Sequence, residues 1–417
     1  MPTAANRTPA TLPAGVSLER THKPELTCPN CESRGLTIFY RVESVPVHSC
    51  LLMPTREAAL AYPRGQLALA WCDSCSFITN AAFDPRVHEY SVRYEETQGF
   101  SPTFRRFAED LAKRMVTGFS LQGKTALEVG CGKGEFLAML VEQGMASGVG
   151  LDPAYRPERL NSTAKDRLRF IQDFYCEKYT HLDADLICCR HTLEHIHQPA
   201  EFMRTIRRAA GDRFNTLMFF EVPDVVRELK EGAFWDLYYE HCSYFSPASL
   251  ARVFDHANFL VHNVWLEFAD QYLMLTGYPA AAKFQPTPPT GMQDPAEVCK
   301  LIEASTETFR ESLTYWYSQV TTAAAKGERV VLWGSGSKAV SFLTTLALRD
   351  EVSAVVDINP HRQGTFIAGS GHAIVAPESI KEIRPSLVIV MNPIYTPEIT
   401  AQIDSMGVKT KVVGLGT

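Results

Sequence analysis

The sequence predicts an α/β protein in which mostly parallel strands are covered by helices. Short apolar runs alternate with segments of helical period along most of the chain. Glycine-rich turns follow two of those runs, and two Cys-x-x-Cys pairs lie near the N-terminus. Strands that alternate with helices pair in parallel, because each crossover helix returns the chain to the same edge.

At 417 residues the chain exceeds one compact core, and ~150 residues per domain predicts two to three domains. Residues 1–23 carry Pro and Thr but no apolar stretch of signal or membrane length, so a disordered tail and a cytoplasmic protein without membrane contact are expected. Residues 24–85 hold the cysteine pairs and β-type runs such as 36–40. Residues 86–277 form the first α/β unit, with strands expected at 124–129, 147–151, 168–172, 185–189 and 216–222. Residues 278–297 are rich in Pro and read as a linker. The second α/β unit, 298–417, is led by a long helix over about 295–325 and a strand at 329–333. A net charge of −6 argues against nucleic acid as a partner, and the arginines within 204–208 read as a solvated helix face.

Cys28, Cys31, Cys72 and Cys75 supply four thiols in two knuckle-like turns. Zinc favours tetrahedral sulfur coordination, so a structural zinc site is expected, with no open position for catalysis. The interval between the pairs is long for a zinc ribbon, which calls for an inserted hairpin. His48 and Cys50 lie in that interval as weaker candidate ligands.

The segment Glu128-Val129-Gly130-Cys131-Gly132-Lys133-Gly134 joins an apolar strand to a helix. Gly130, Gly132 and Gly134 allow a tight turn and remove the Cβ atoms that would meet a close ligand. The leading acid, Glu128, can accept hydrogen bonds from a ligand ammonium. Asp152 ends the next strand, where a ribose diol needs an acceptor, and Asp173 ends the third, within reach of an adenine amino group. Together these features resemble the class I S-adenosylmethionine-dependent methyltransferases. A nucleotide-binding α/β domain of another chemistry is the alternative.

After the fourth strand come His191, His195 and His197, and further on Tyr238-Tyr239-Glu240-His241 leads into Ser246-Pro247, an N-cap and first helical position. Loops at this edge of an open α/β sheet bind ligands. Histidine has the pKa to remove a proton beside a carbonyl, and Tyr hydroxyls or a second His can stabilise the enolate. The alternative is that these side chains only hydrogen-bond loops.

Over residues 24–417 the chain looks like the sugar C-methyltransferases of deoxysugar biosynthesis, which methylate nucleotide-linked 4-keto-deoxysugars beside the keto group. The likeness covers the cysteine pairs, the central unit and a C-terminal Rossmann-like unit with Gly334-Ser335-Gly336-Ser337-Lys338 and Asp357-Ile358-Asn359-Pro360. The resemblance implies a fold of three parts. These are a small N-terminal zinc-binding domain, a class I methyltransferase (Rossmann-like) domain and a C-terminal Rossmann-like α/β domain. It implies S-adenosylmethionine as cofactor, a small-molecule acceptor, His241 as base with Tyr238 and Glu240 beside it, and His195 near the reacting carbons. Tyr94 stands where the family has a site tyrosine.

Two segments depart from the family pattern. Tyr94 is followed by Glu95 and Glu96, awkward beside a sugar diphosphate, and Met391-Asn392-Pro393-Ile394-Tyr395 replaces a Trp-Asn element. These leave open another small acceptor methylated at O, N or C, or a protein that binds the cofactor without turnover. Gly334, Gly336 and Lys338 are expected to receive acceptor phosphates. A dinucleotide held by Asp357, or an empty structural turn, are the alternatives.

Overall fold

A computed structural model describes residues 12–87, 93–281 and 294–416. Most of the expected tail and linker, and Tyr90, Ser91 and Val92 ahead of Tyr94, lie outside the described residues.

Strands β1 (Val16–Ser17), β2 (Thr21–Thr27), β3 (Arg34–Pro46), β4 (Arg64–Trp71) and β5 (Ile78–Asn80) build an antiparallel N-terminal sheet. The cysteine knuckles are its turns: Cys28 and Cys31 lie between β2 and β3, Cys72 and Cys75 between β4 and β5. Both repeat one hydrogen-bond pattern. Cys28 N donates to Ser33 O and Cys72 N to Phe77 O, each at 2.9 Å. The expected inserted hairpin is β3–β4, whose register sets Thr37 opposite Trp71 and brings the two knuckles to one end of the sheet.

Strands β6 (Thr125–Val129), β7 (Ser147–Leu151), β8 (Leu168–Ile171), β9 (Leu186–Arg190) and β10 (Leu217–Pro223) are the parallel strands of the central sheet. Strand β11 (Ser243–Tyr244) leaves that unit and pairs with β5 of the first sheet. Strands β12 (Phe259–Glu267) and β13 (Tyr272–Pro279) then form a hairpin, with β13 antiparallel to β10. The order is β12-β13-β10-β9-β6-β7-β8, a parallel sheet reversed at one edge. Strands β14 (Val330–Trp333), β15 (Ala354–Val356), β16 (Ile374–Val375), β17 (Leu387–Val390) and β18 (Lys411–Gly414) form a third, all-parallel sheet ordered β16-β15-β14-β17-β18. The expected α/β class and both Rossmann-like sheets are present.

Consecutive residues of β10 point to opposite faces, and each is claimed by a different core. Phe219 packs with Leu137 and Met274, and Phe220 with Leu127 and Phe254. The helix Pro295–Ala325 buries Val298, Ile302, Phe309, Leu313, Trp316 and Val320 along one stripe, and Asp294 caps it by accepting from Ala296 N. That stripe shares one core with Tyr40 and Leu67 of the first sheet and with Leu332 and Phe342 of the third unit. Among the described residues no helix is long and apolar enough to cross a membrane.

Candidate active site

Strand β6 lies between β7 and β9, and β14 between β15 and β17. At each point the crossover connections leave in opposite directions, which opens a crevice at the strands' C-terminal ends. Both crevices open into one cavity of about 960 Å³. Gly130, Asp152, His241, Gly334 and Asn359 all line it, so the first and second α/β units share one space.

The glycine loop forms one wall. A Cβ on Gly130 (φ +73°) would lie 1.9 Å from Thr192 Oγ1, and one on Gly132 (φ +53°) 2.7 Å from Glu96 Oε1. Gly134 closes the turn ahead of the helix Glu135–Glu142. Asp152 holds the loop in place: its Oδ2 accepts from Gly132 N at 2.9 Å and its Oδ1 from Ala154 N at 2.7 Å. Glu128 is 2% exposed, and its Oε2 has no hydrogen-bond partner. Burial pushes its pKa up to about 8, with Arg190 opposing the rise. Asp173 sits at the rim, where Tyr179 Oη (2.5 Å) and Lys178 Nζ (3.2 Å) donate to it and hold its pKa down. Part of its accepting capacity is thus already taken.

The three neighbouring histidines separate into different roles. His191, with φ +48°, directs Nε2 at Glu221 Oε1 (3.0 Å); burial disfavours its charge, but Glu221 and Glu194 raise its pKa to about 9. It is an imidazolium locked between acids. His197 is exposed, its ring 5.9 Å from that of Phe83. His195 is turned toward His241, ring centroids 4.7 Å apart, and its Nδ1 lies 3.1 Å from the Glu240 carbonyl oxygen.

His241 is 5% exposed and lies 4.1 Å from the Tyr238 ring, centroid to centroid. Burial, then the neighbouring His195, His191 and Lys338, press its pKa well below the ordinary imidazole value, so the ring is neutral. Burial raises the Tyr238 phenol well above its usual value and keeps it protonated. Tyr94 lines the same cavity, and its carbonyl accepts from Lys133 Nζ at 2.8 Å.

Glu240 is corrected. Expected beside the reacting atoms, it turns away from the cavity instead. Its Oε2 meets His48 Nδ1 at 2.9 Å and its Oε1 accepts from Ser49 N at 3.1 Å. Burial opposes its charge, but His48 holds its pKa at about 2. His48 thus meets Glu240 and is not among the clustered thiols Cys28, Cys31, Cys72 and Cys75. Lys338 lines the cavity and also pairs with Asp236, so an acceptor phosphate would have to share it with that carboxylate. Gly334 and Gly336 line the cavity as expected, while Asp357 closes its own turn by accepting from Ser335 N at 2.8 Å.

Pair formation also resolves the two awkward acids. Glu95 receives Arg159 at 2.6 and 2.9 Å and Asn359 Nδ2 at 2.9 Å, and Glu96 pairs with Lys133 at 3.0 Å. Burial raises Glu96 to about 7 against that pairing. Arg190 and Glu221 went unnoticed in the sequence; Lys133 and Asn359 were read only as members of the glycine motif and the Asp-x-Asn-Pro element, with no role of their own.

Away from the cavity, Cys28 Sγ lies 3.8 Å from Cys75 Sγ and Cys31 Sγ 3.6 Å from Cys72 Sγ. All four lie within 4.8 Å of one another. Zinc–sulfur bonds of about 2.3 Å at tetrahedral angles place sulfurs roughly 3.8 Å apart, whereas a disulfide needs about 2.05 Å. The donor set fits zinc.

A family model described as a methyltransferase domain matches residues 101–264, and one described as the C-methyltransferase C-terminal domain matches 294–412. The C-methyltransferase NovU of Streptomyces niveus is 27% identical over 295 residues, 66% of this chain and 68% of that protein. Among solved structures, the 1,6-didemethyltoxoflavin-N1-methyltransferase of Burkholderia thailandensis is 18% identical, covering 44% of this chain and 82% of that one with a TM-score of 0.34. The N,N-8-amino-8-demethyl-D-riboflavin dimethyltransferase of Streptomyces davawensis is 17% identical, covering 42% and 56% with a TM-score of 0.33.

Proposed function

We propose that this chain, which is similar to S-adenosylmethionine-dependent C-methyltransferases, methylates the carbon beside the keto group of a nucleotide-linked deoxysugar, with His241 as general base. One observation carries the reading. His241 is a buried, neutral imidazole against Tyr238 and His195, on the wall of the cavity that also receives the glycine loop.

Glu128, Gly130, Gly132, Gly134, Asp152 and Asp173 are the residues that would hold S-adenosylmethionine. The orphaned Glu128 oxygen suits an ammonium, and a loop without Cβ atoms suits close approach. When bound, the cofactor supplies a methyl group already activated by its sulfonium. The chain's own residues do the rest. His241 takes the proton from the acceptor carbon, and the electron pair moves to the carbonyl oxygen. The Tyr238 hydroxyl is the donor at hand for that oxyanion, with the His195 ring on the other side of His241. The Glu240 carbonyl orients His195, and Tyr94 adds to the wall. In this division residues 24–85 are a structural unit in which Cys28, Cys31, Cys72 and Cys75 hold zinc. Residues 86–277 carry the donor site and base, and 298–417 close the acceptor end.

A second reading, methylation of another small acceptor, is favoured by the cavity's charge. Each of Arg105, Lys133, Arg190, Arg227, Lys338 and Arg362 lining it already bonds a carboxylate or carbonyl. A diphosphate would have to compete for them. Mass analysis of products from a panel of keto-sugar nucleotides and other small acceptors separates the two. His241→Ala should keep affinity for S-adenosylhomocysteine and lose ~100-fold or more in turnover, the scale of a general base. Near-normal turnover in that variant defeats the assignment of the base.

A further inference from the structure

We propose that Glu194, His195 and His241 form a divalent-metal site on the cavity wall, and that an ion held there silences His241 as a base. The site stands on geometry alone; the silencing rests on the assignment of His241 as general base.

Glu194 and His195 are consecutive residues of the short 3-10 helix Leu193–His195, which follows β9. His241 comes from the loop that leads into β11. The two segments are stitched together beside the site. Ser243 Oγ donates to the Ile196 carbonyl at 2.7 Å, and Cys242 Sγ to the Glu194 carbonyl at 3.7 Å. One ligand atom from each of the three residues lies within 4.8 Å of the other two. Donors held about 2.1 Å from one ion lie roughly 3.0–3.4 Å apart, so closing the triad takes side-chain shifts of about 2 Å or less. All three residues line the cavity, so the ion's remaining positions face it.

Glu194 is 1% exposed, and neither of its carboxylate oxygens has a hydrogen-bond partner. His191 stands off from it at 3.5 Å as an ion pair and directs its other nitrogen at Glu221. A buried carboxylate in that state is poorly satisfied, and a metal ion is a partner that satisfies it. His195 is oriented as metal-binding imidazoles are. A carbonyl can only accept, so His195 Nδ1 carries the hydrogen toward the Glu240 oxygen, and the neutral ring presents its lone pair at Nε2. His48 and Ser49 fix the Glu240 side chain behind that carbonyl. Two imidazoles and one carboxylate suit zinc, cobalt or nickel better than magnesium or calcium, which favour all-oxygen sites. The four cysteines are a separate group with their own metal. A neutral imidazole has one lone pair, so a metal-bound His241 has none left to accept the acceptor's proton.

Cobalt(II) added to the zinc-loaded full chain tests the site, followed by calorimetry and by the visible absorption of the bound ion. One further ion per chain is expected, without the intense thiolate band that exchange into the cysteines gives. Glu194→Gln and His195→Ala should each weaken it by more than the ~10- to 100-fold typical of changes behind a metal ligand. Magnesium in large excess should not compete. No further ion, or equal binding by the wild type and either folded variant, overturns the site; where one variant does not fold, the other decides. Turnover should fall in step with cobalt occupancy and return when a chelator removes the further ion. Full turnover with the site filled would leave the metal site standing and overturn the silencing, and with it His241 as the base.

Discussion

At the residue scale, the site is governed by which charges are buried and what faces them. His191 and His241 have the same side chain and opposite protonation, because acids enclose one and apolar burial the other. Glu128 shows the same control with a consequence for stability. Its folded pKa, about 8, lies above the ordinary carboxylate value of 4.5. The folded state therefore disfavours ionisation. The penalty is absent below the unfolded pKa and grows as pH rises through the window between the two values. Glu128→Gln should melt several degrees above wild type at about pH 8 without ligand, with the gain vanishing near about pH 5. A gain unchanged across that range would mean the carboxyl is not perturbed. The same variant should lose affinity for S-adenosylhomocysteine, trading stability for a ligand contact.

At the element scale, the glycine loop is a backbone solution to a packing problem. Gly130 combines a positive φ with Thr192 in the space a Cβ would fill. Gly130→Ala should therefore displace the loop rather than merely crowd the ligand. We expect a loss of about 1–3 kcal/mol in stability together with loss of S-adenosylhomocysteine binding. Full binding by a folded Gly130→Ala protein would show that the loop does not need this conformation. The loop was readable because glycine spacing after an apolar strand is a local signal. Arg190 was not, since it pairs with Glu221 and lies over Phe136, both distant in sequence.

At the scale of the whole molecule, the cysteine sheet is tied to the reaction centre. Strand β11, next to His241, pairs with β5, which follows the second knuckle directly. His48 and Ser49 of the same N-terminal part hold the Glu240 side chain, whose carbonyl meets His195. Zinc removal by a strong chelator, or Cys72→Ser, should thus lower turnover as well as melting temperature. Metal analysis should find about one zinc per chain before treatment. Full activity in metal-free protein would separate the knuckles from the site. Ser337 extends the link, its hydroxyl lying 2.7 Å from Ser49 Oγ, so all three units meet at this point.

The sequence alone determined the local features. These were the order of strands and helices, the glycine turn with its acids at successive strand ends, the paired cysteines, and the capped helix at Ser246-Pro247. Each depends on neighbours a few residues away, where spacing and residue type suffice. Tertiary structure alone decided which charges remained available. It paired Glu240 with His48, Lys338 with Asp236, and Glu95 with Arg159 and Asn359, and it left Glu128 and Arg190 each with a buried atom unpaired. Those outcomes depend on partners up to 264 residues apart, brought together by the apolar cores. Charge in a buried site is set by the surroundings, and no local pattern encodes them.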